Sequence, residues 1–293
     1  MTWKLLVLTA IIPLRWGRGL CTGLARLGLR SRGRERRLAE ANLARALPER
    51  SLAERQKLLR DAADHLGRNL FNTLAAPRLL KKPGAVIEEI PSGADNKSIA
   101  ELLRELGSAG RGVFILTGHI GCWELAGGWI AQTLSAQGLG PAAAITGTIH
   151  NPPVDRLVQN RRRALGFQVL PREQGAAPLI RLLRAGGYVA VLQDQRTSVR
   201  NRDVPFFGIP APTPTGMAAL ALKYGVPVLP VAGVWDEQRQ VVVMHHQPPI
   251  RPEEFAPDDQ LGFLTRCNGA LEEFIRRNPE QWVWFHRRWN PEP

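Results

Sequence analysis

Gly112-Val-Phe-Ile-Leu-Thr-Gly118 is the stretch that predicts the fold, and His119-Ile-Gly-Cys-Trp-Glu124 follows it directly. The first part is short, apolar, β-branched and aromatic, and it is bounded by glycines, which predicts a buried strand. The residues from Trp123 to Leu134 predict a helix. We therefore expect His119 where a strand ends and a helix begins, the edge at which open α/β sheets place their ligands.

His119 and Glu124 are the candidate catalytic residues. A histidine is the side chain best suited to accept a proton near neutral pH, and a carboxylate on its other ring nitrogen fixes the tautomer and stabilises the imidazolium. Five residues apart on one helix the two would not share a face, but across a strand-to-helix turn they can meet. The alternative is a solvent-exposed histidine followed by an ordinary glutamate in the first turn of a helix.

Strand and helix patterns alternate along the rest of the chain. Strands are predicted near residues 86–90, 113–117, 142–148, 168–170, 188–192, 226–234 and 240–245. Helices are predicted near residues 38–47, 52–75, 98–108, 123–134, 154–165, 176–185, 216–224 and 258–277. Residues 77–83 predict a break, and the Pro- and Gly-rich residues 204–215 predict a loop. We expect an α/β fold with a mainly parallel twisted sheet covered by helices on both faces.

Composition narrows the function classes. The three cysteines are scattered, which predicts a reduced protein without a disulfide framework, and no His/Cys spacing indicates a metal site. The net charge of +13 predicts acidic partners such as anionic lipid or an acidic carrier protein. Nucleic acid is the weaker choice, because no zinc-ligand spacing, basic zipper or RNA-binding aromatic signature accompanies the charge.

The first 30 residues predict a membrane-associated segment. Trp3 to Leu14 is strongly apolar, but 12 helical residues reach only ~18 Å against a hydrocarbon core of ~30 Å. The following residues divide between two helical faces, one apolar (Trp16, Leu20, Leu24 and Leu27) and one basic or polar (Arg15, Arg18, Thr22 and Arg26). We expect residues 1–30 to form an interfacial anchor ahead of a domain at residues 31–293. The alternative is a helix packed on the protein's own core.

Four ordered motifs carry a resemblance to one family. They are His119-Ile-Gly-Cys-Trp-Glu124, then Arg162-Arg-Ala-Leu-Gly166, then Asp194-Gln195 with Val204-Pro-Phe-Phe-Gly208 and Ala211-Pro-Thr-Pro-Thr-Gly216, and finally Gln281-Trp-Val-Trp-Phe-His-Arg-Arg-Trp289. The set resembles the late acyltransferases of lipid A biosynthesis, in the HxxxxD/E glycerolipid acyltransferase superfamily. Asn42-Leu43 to Leu47-Pro48 matches an N-terminal element, so the resemblance covers nearly the whole chain. Cys122 departs from the pattern, since Asn is common there, and the N-terminal segment is shorter and richer in Arg.

The resemblance implies transfer of a fatty acyl chain from an acyl thioester, acyl-acyl carrier protein, to a hydroxyl of a lipid A precursor. It places the protein at the cytoplasmic face of the bacterial inner membrane, with no cofactor and as a monomer. His119 would be the general base and Glu124 its orienting carboxylate. Cys122 is interpreted as a packing residue rather than a nucleophile. Alternatives are another glycolipid or lysophospholipid as acceptor, with acyl-CoA as a possible donor, or a non-catalytic membrane-bound interaction protein.

The same motifs supply candidate substrate-binding residues, which are Arg162, Asp194, Gln195, Phe206, Phe207, Gly208 and Thr213. A guanidinium suits the oxyanion or an anionic acceptor, and the alternative for Arg162 is a solvated cation at a helix end. Asp194 is expected either to position substrate or to pair with Arg162.

Aromatic residues close the set of candidates. Phe206 and Phe207 are expected to line the acyl groove, with core packing as the alternative. Three tryptophans near the C-terminus fit either the bilayer interface or the core (Trp282, Trp284 and Trp289). His286, which lies among them, is interpreted as a polar partner rather than a catalyst.

Overall fold

The computed structural model describes residues 12–30, 33–90, 96–147, 151–197 and 199–290. Its helices are α1 (Leu14–Arg30), α2 (Arg34–Ala46), α3 (Leu52–Leu79), α4 (Ile99–Gly107), α5 (Trp123–Ala136), α6 (Pro152–Ala164), α7 (Ala177–Arg184), α8 (Gly216–Tyr224) and α9 (Gln260–Arg277). Its strands are β1 (Ile87–Glu89), β2 (Val113–Thr117), β3 (Ala142–Thr146), β4 (Gln168–Pro171), β5 (Tyr188–Leu192), β6 (Asn201–Phe206), β7 (Ile209–Pro214), β8 (Val228–Asp236) and β9 (Val241–His246).

One seven-stranded sheet organises the chain, in the order β1-β9-β8-β2-β5-β3-β4. The strands β8, β2, β5, β3 and β4 run parallel to one another. β9 is antiparallel to β8 and parallel to β1, so these two strands at one edge run in the opposite direction. The predicted α/β fold with a mainly parallel sheet is confirmed.

Helices bury both faces of the sheet. In β2, Phe114 and Leu116 face an apolar cluster to which α2, α7, α8 and α9 contribute, whereas Val113 and Ile115 face a second cluster formed with α4, α5 and the end of α3. Each of these four side chains is at most 2% exposed. A strand buried on both faces reads as a continuous apolar run, which is why the sequence of β2 predicts it so well.

The carboxyl ends of β2 and β5 meet at one edge of the sheet. Thr117, the last residue of β2, pairs with Leu192, the last residue of β5. His119 and Asp194 each follow two residues later, so the sheet register brings them together. Gly118 allows the close approach, because a Cβ at that position would lie 3.0 Å from a carboxylate oxygen of Asp194.

The prediction of a loop at residues 204–215 is wrong, because β6 and β7 form an antiparallel hairpin there. Phe207 (φ 54°) and Gly208 (φ 74°) make its two-residue turn with positive φ at both positions. Phe-Gly is not the usual signal for such a turn, and prolines argue against a central strand. They are tolerated here because both strands of a two-stranded sheet are edge strands.

The predicted end of α3 at residue 75 is also wrong, since the helix runs through Pro77 to Leu79. Ala76 is fully buried and Leu79 is 5% exposed. The amide of Leu80 still donates to the carbonyl of Ala76 at 2.9 Å. Burial of these apolar side chains keeps the last turn helical despite the hydrogen bond that proline cannot make.

The N-terminal helix α1 packs on α3 by its small and basic face. A Cβ at Gly67 of α3 would lie 2.6 Å from the carbonyl oxygen of Cys21, so the two backbones are in close contact. Arg18 Nε donates to Asn72 Oδ1 at 2.9 Å, and Arg26 Nε donates to Asp64 Oδ1 at 2.6 Å. The alternative of a helix packed on the protein itself is therefore confirmed for this face.

The opposite face of α1 is apolar and exposed. The exposed fractions are 67% for Trp16, 61% for Leu20, 59% for Leu24 and 60% for Leu27, so the predicted division into two faces is confirmed. The remainder of the predicted apolar segment, Trp3 to Ile11, lies outside the described residues, as do Ser31 and Arg32. Within the described ranges no helix is both long and apolar enough to cross a bilayer.

Candidate active site

His119 and Asp194 form a hydrogen-bonded pair at the carboxyl edge of the sheet. The His119 ring nitrogen Nδ1 lies 2.8 Å from Oδ1 of Asp194, and the His119 backbone N–H donates to Oδ2 at 2.6 Å. The side chain of Asp194 is fully buried, whereas that of His119 is 23% exposed. Among the described residues, none bonds to Nε2 of His119. The ring is thus held from one side and open on the other.

The environment of Asp194 keeps its carboxyl ionised. Burial alone would raise its pKa, but the charge of His119, the hydrogen bond from His119, the charge of His286 and the hydrogen bond from Trp282 together hold the pKa of Asp194 well below its ordinary value. A carboxylate can only accept, so the proton of the neutral imidazole belongs on Nδ1. Nε2 is then left with a free lone pair, which is the form a general base needs.

The C-terminal segment is paired to the turn that carries His119. The Gly121 amide donates to the Gln281 carbonyl at 2.9 Å, and the Val283 amide donates to the His119 carbonyl at 3.1 Å. Trp282 lies between them, and its indole Nε1 donates to Oδ2 of Asp194 at 2.8 Å. Trp282, which is 88 residues from Asp194 in the sequence, thus supplies a further hydrogen bond to the Asp194 carboxylate.

The turn between β2 and α5 is tightly built. Gly121 has φ 58°, and a Cβ there would lie 2.1 Å from the carbonyl oxygen of Gly233. Cys122 is buried, and its Sγ accepts a hydrogen bond from Asn72 Nδ2 at 3.4 Å. Burial raises the pKa of the Cys122 thiol, which disfavours the nucleophilic thiolate. This agrees with its interpretation as a packing residue.

Glu124 pairs with Arg162 rather than with His119. Arg162 Nε donates to the two carboxylate oxygens of Glu124 at 3.2 and 3.1 Å, and Nη2 donates to Oε1. The exposed fraction is 11% for the Glu124 side chain and 17% for the Arg162 side chain. The hydrogen bond expected between His119 and Glu124 is therefore replaced by one that Asp194 accepts from His119. The alternative expected for Asp194, a pair with Arg162, is not what the structure shows, because Arg162 pairs with Glu124. The reason is geometric, since Glu124 lies in the first turn of α5 and the register of β2 and β5 places Asp194 on the ring.

A narrow apolar crevice lies between α5 and the sheet, beside this ion pair. The residues that line it include Glu124, Arg162, Trp123 and Thr117. The Trp123 ring packs edge-on against His119, with ring centroids 5.2 Å apart. Its apolar walls include the residues Ile115, Ala126, Gly127, Ala144, Phe167 and Ala190. The crevice therefore adjoins His119 through Trp123, and its volume is about 40 Å³.

A sequence model described as bacterial lipid A biosynthesis acyltransferase matches residues 2–291. The chain belongs to this acyltransferase family. A lipid A biosynthesis palmitoleoyltransferase of Escherichia coli K12 is 26% identical over 266 residues, 89% of this chain and 80% of that protein. Phosphatidylinositol mannoside acyltransferases are also similar, at 31% over 141 residues in Mycobacterium tuberculosis and 29% over 127 in Mycolicibacterium smegmatis. The chain matches about two fifths of the length of these mycobacterial proteins, 41% and 40% respectively.

The other predicted substrate-binding residues of this family member lie behind the site. Phe206 is fully buried and Phe207 is 7% exposed; their rings pack on the tryptophans of the C-terminal segment. Thr213 is fully buried and accepts from Arg288 Nη2 at 2.9 Å. Gly208 is exposed in the hairpin turn, and Gln195 is half-buried just after Asp194. None of these five lines the crevice, so for the two phenylalanines the alternative of core packing is what the structure shows.

The structure shows three further features around the candidate site. The tryptophans 282, 284 and 289 are at most 3% exposed, which places them in the core. His286 is the expected polar partner, since its Nε2 lies 3.2 Å from the carbonyl oxygen of Asp194. Asn42 Nδ2 donates to the carbonyls of Trp284 and His286, both at 2.8 Å. Its place in the N-terminal Asn-Leu element is the signal that could have found it.

The part of the chain that the structure describes contains no cluster of three or more His, Cys, Asp or Glu side chains arranged to hold a metal ion. His65, a histidine outside the site, has Nδ1 3.3 Å from Arg68 Nη1. Burial, and then the charge of Arg68, lower the pKa of His65 to about 4. This histidine is therefore neutral at physiological pH.

Proposed function

We propose that the protein is a membrane-associated O-acyltransferase that transfers a fatty acyl chain from acyl-acyl carrier protein to a hydroxyl of a lipid A precursor. The observation that carries this proposal is the His119–Asp194 pair: Nε2 of His119 has no partner among the described residues, and the His119 ring packs on Trp123, which lines an apolar crevice. A base next to a slot for an alkyl chain suits acyl transfer to an alcohol. Membership of the lipid A acyltransferase family supports the acceptor class.

The proposed reaction needs no covalent intermediate with the protein. Nε2 of His119 accepts the proton of the acceptor hydroxyl while its oxygen attacks the thioester carbonyl. The tetrahedral intermediate collapses as the carbon–sulfur bond breaks, and the proton on Nε2 passes to the leaving thiolate. The products are an ester and a free thiol, so atoms and charge balance. Asp194 stabilises the imidazolium that forms in between.

Arg162 is proposed to bind negative charge at the mouth of the crevice. Glu124 engages Nε and Nη2 of the guanidinium and so fixes its plane. Nη1 has no partner among the described residues and is available to a phosphate of the acceptor or to the oxyanion of the intermediate. Glu124 thus acts on Arg162 in this proposal, and Asp194 takes the orienting role on His119 that the motif spacing suggests for Glu124.

The crevice is proposed to receive the acyl chain, and since its volume is only about 40 Å³, its side chains must move apart for a whole chain to enter. Ile115, Ala190 and Ala144 are neighbours across β2, β5 and β3, so they form one row along its floor. Two alanines in that row leave room that larger residues would fill. An apolar slot favours an alkyl chain by roughly 0.8 kcal/mol for each buried methylene.

Enlarging Ala190 is expected to shift the preference of the enzyme toward shorter acyl chains. Ala190→Leu adds volume to the floor of the crevice, and we expect long-chain donors to lose on the order of 10-fold or more in kcat/KM relative to short ones. The measurement is a competition between acyl donors of different length, read by mass spectrometry of the product. Ala256→Leu, at an exposed position, is the matched control. An unchanged chain-length profile in the Ala190 variant would contradict the placement of the acyl chain.

The exposed face of α1 is proposed to bind the membrane surface. Trp16, Leu20, Leu24 and Leu27 form one stripe, and burying each large apolar side chain contributes about 1.5–3 kcal/mol. The net charge of +13 adds attraction to anionic headgroups and to an acidic carrier protein. This supports a location at the cytoplasmic face of the bacterial inner membrane.

Charge placed on this stripe is expected to release the protein from membranes. Leu20→Asp with Leu24→Asp should lower co-sedimentation with vesicles of phosphatidylethanolamine and phosphatidylglycerol at least about 10-fold, since two apolar contacts are lost. Leu52→Asp is the control, because Leu52 is 65% exposed on α3 but roughly 18 Å along the helix from Asp64, where α1 packs. Equal binding of the double variant and the wild type would show that this stripe is not the membrane contact.

A second candidate acceptor is another glycolipid. The mycobacterial relatives are named as phosphatidylinositol mannoside acyltransferases, and this chain matches about two fifths of the length of each. Mass spectrometry of membrane lipids from cells with and without the protein separates the two. One additional acyl chain on lipid A supports the first acceptor, and an acyl gain on a different glycolipid or lysophospholipid supports the second. No acylated product in either class would contradict the proposed function.

A further inference from the structure

We propose that Trp282 is a positioning residue for the general base, because its indole N–H holds the Asp194 carboxylate against His119. Trp282 then supports the chemistry of the site in addition to its packing in the core. This inference rests on the proposed function, in which His119 is the base.

The hydrogen bonds around Asp194 support this role. Oδ1 faces Nδ1 of His119 at 2.8 Å, and Oδ2 accepts from the His119 backbone N–H at 2.6 Å and from Trp282 Nε1 at 2.8 Å. Because Asp194 is fully buried, bulk water does not reach the carboxylate to replace a lost donor. The indole is the one donor of this set that does not come from His119 itself. It therefore fixes the carboxylate independently of the residue that the carboxylate must orient.

The backbone of Trp282 is tied to the same turn. Ile120 and Trp282 form an antiparallel bridge, flanked by the hydrogen bonds from Gly121 to Gln281 and from Val283 to His119. Trp282 thus keeps a fixed position relative to both His119 and Asp194. A contact that only filled space would not need both the backbone pairing and the side-chain hydrogen bond.

The neighbouring tryptophans provide an internal comparison. Trp284 Nε1 donates to the Pro279 carbonyl at 2.7 Å, and Trp289 Nε1 donates to the Phe206 carbonyl at 3.2 Å. The three side chains are almost equally buried, with exposed fractions of 1% for Trp282, 0% for Trp284 and 3% for Trp289. Each loses one ring and one N–H donor on replacement by phenylalanine. Only Trp282→Phe would also remove one of the two donors to Oδ2 of Asp194.

The experiment compares Trp282→Phe with Trp284→Phe in the full-length protein, using acyl-acyl carrier protein and the acceptor lipid. A hydrogen bond to a charged group contributes about 1.5–3 kcal/mol, so we expect kcat of Trp282→Phe to fall about 10- to 100-fold below that of Trp284→Phe. KM for both substrates should stay within about twofold, because the indole does not line the crevice. Equal losses of kcat in the two variants would overturn the inference.

A double-mutant cycle tests the same idea through Asp194. If the indole acts through the carboxylate, Trp282→Phe should lower kcat in the wild type but produce no further loss in an Asp194→Asn background. The same additional factor in both backgrounds would overturn the proposal. Replacing Trp282 with β-(3-benzothienyl)alanine, which has sulfur in place of the N–H, keeps the ring and removes the donor. This variant gives the same comparison should the phenylalanine variant fail to fold.

The outcomes separate this inference from the proposed function. If wild-type protein transfers no acyl group, or if His119→Ala is as active as wild type, the proposed function itself is wrong. If acyl transfer depends on His119 but Trp282→Phe behaves like Trp284→Phe, only the positioning role of Trp282 fails.

Discussion

We expect His119→Ala to lower kcat for acyl transfer by about 10²- to 10⁴-fold, the usual contribution of a well-placed general base. Nε2 of His119 has no partner among the described residues and is held open by the pairing of Nδ1 with Asp194. Without it the attacking hydroxyl keeps its proton. Single-turnover assays with purified protein, an acyl thioester and the acceptor lipid measure the loss. They separate the chemical step from binding and product release.

The matched control is His246→Ala. His246 lies at the carboxyl end of β9, where the antiparallel pairing places it beside the start of β8. The strand ends near His246 are therefore opposite to those that carry His119. The variant loses two contacts, from Nε2 to the Lys97 carbonyl at 3.1 Å and from Nδ1 to the Gln247 carbonyl at 3.4 Å, and neither involves the candidate site, so its activity should stay near that of the wild type. A His119→Ala protein that keeps its rate within about threefold would rule out general-base catalysis by this residue.

Asp194→Asn is expected to give a second large loss, about 10²- to 10⁴-fold in kcat. An amide in place of the carboxylate no longer stabilises the imidazolium, and its NH2 group can meet a donor in a fully buried site. Nδ1 then has no anion to hold its proton, and the fraction of rings with Nε2 free decreases. The measurement is kcat at saturating concentrations of both substrates, together with the thermal midpoint of unfolding.

Asp259→Asn serves as the control for this substitution. Asp259 caps α9 by accepting from the Gly262 amide at 2.8 Å, and asparagine caps helices equally well. Its activity and unfolding midpoint should therefore stay close to those of the wild type. If Asp194→Asn kept kcat within about threefold of the wild type, Asp194 would not be the carboxylate that orients His119.

Local patterns were enough to predict most elements of the sheet and its helices. Tyr188–Leu192 and Gly216–Tyr224 have the predicted bounds, because a continuous apolar run and a helix ended by Gly225 in the left-handed region leave clear signals. The hairpin at residues 201–214 was missed, since its Phe-Gly turn and edge-strand prolines resemble a loop. Its stability comes from packing on distant tryptophans, which the local sequence does not encode.

The candidate site also depends on contacts between residues that are far apart in the sequence. The sequence predicts His119 from its place after β2, and it predicts Glu124 as the partner from the motif spacing across a strand-to-helix turn. The actual partner, Asp194, is 75 residues away and is brought there by strand pairing. Trp282 lies 88 residues beyond Asp194, and only the folded chain reveals that its indole reaches the carboxylate. Local spacing in the sequence identifies His119 as the candidate base. The groups that orient it, Asp194 and Trp282, come close to it only in the folded chain.

The packing of α1 on α3 has a consequence for how a lipid would meet the base. Asn72 accepts from Arg18 of α1 and donates to Cys122 in the turn that carries His119. If the exposed stripe of α1 lies in the membrane surface, these two hydrogen bonds set the height and tilt of the turn that carries His119 above the bilayer. The acceptor would then arrive by lateral diffusion along the leaflet, in one orientation, while the carrier protein approaches from the aqueous side. The rate would depend on the surface density of the acceptor lipid rather than on its bulk concentration.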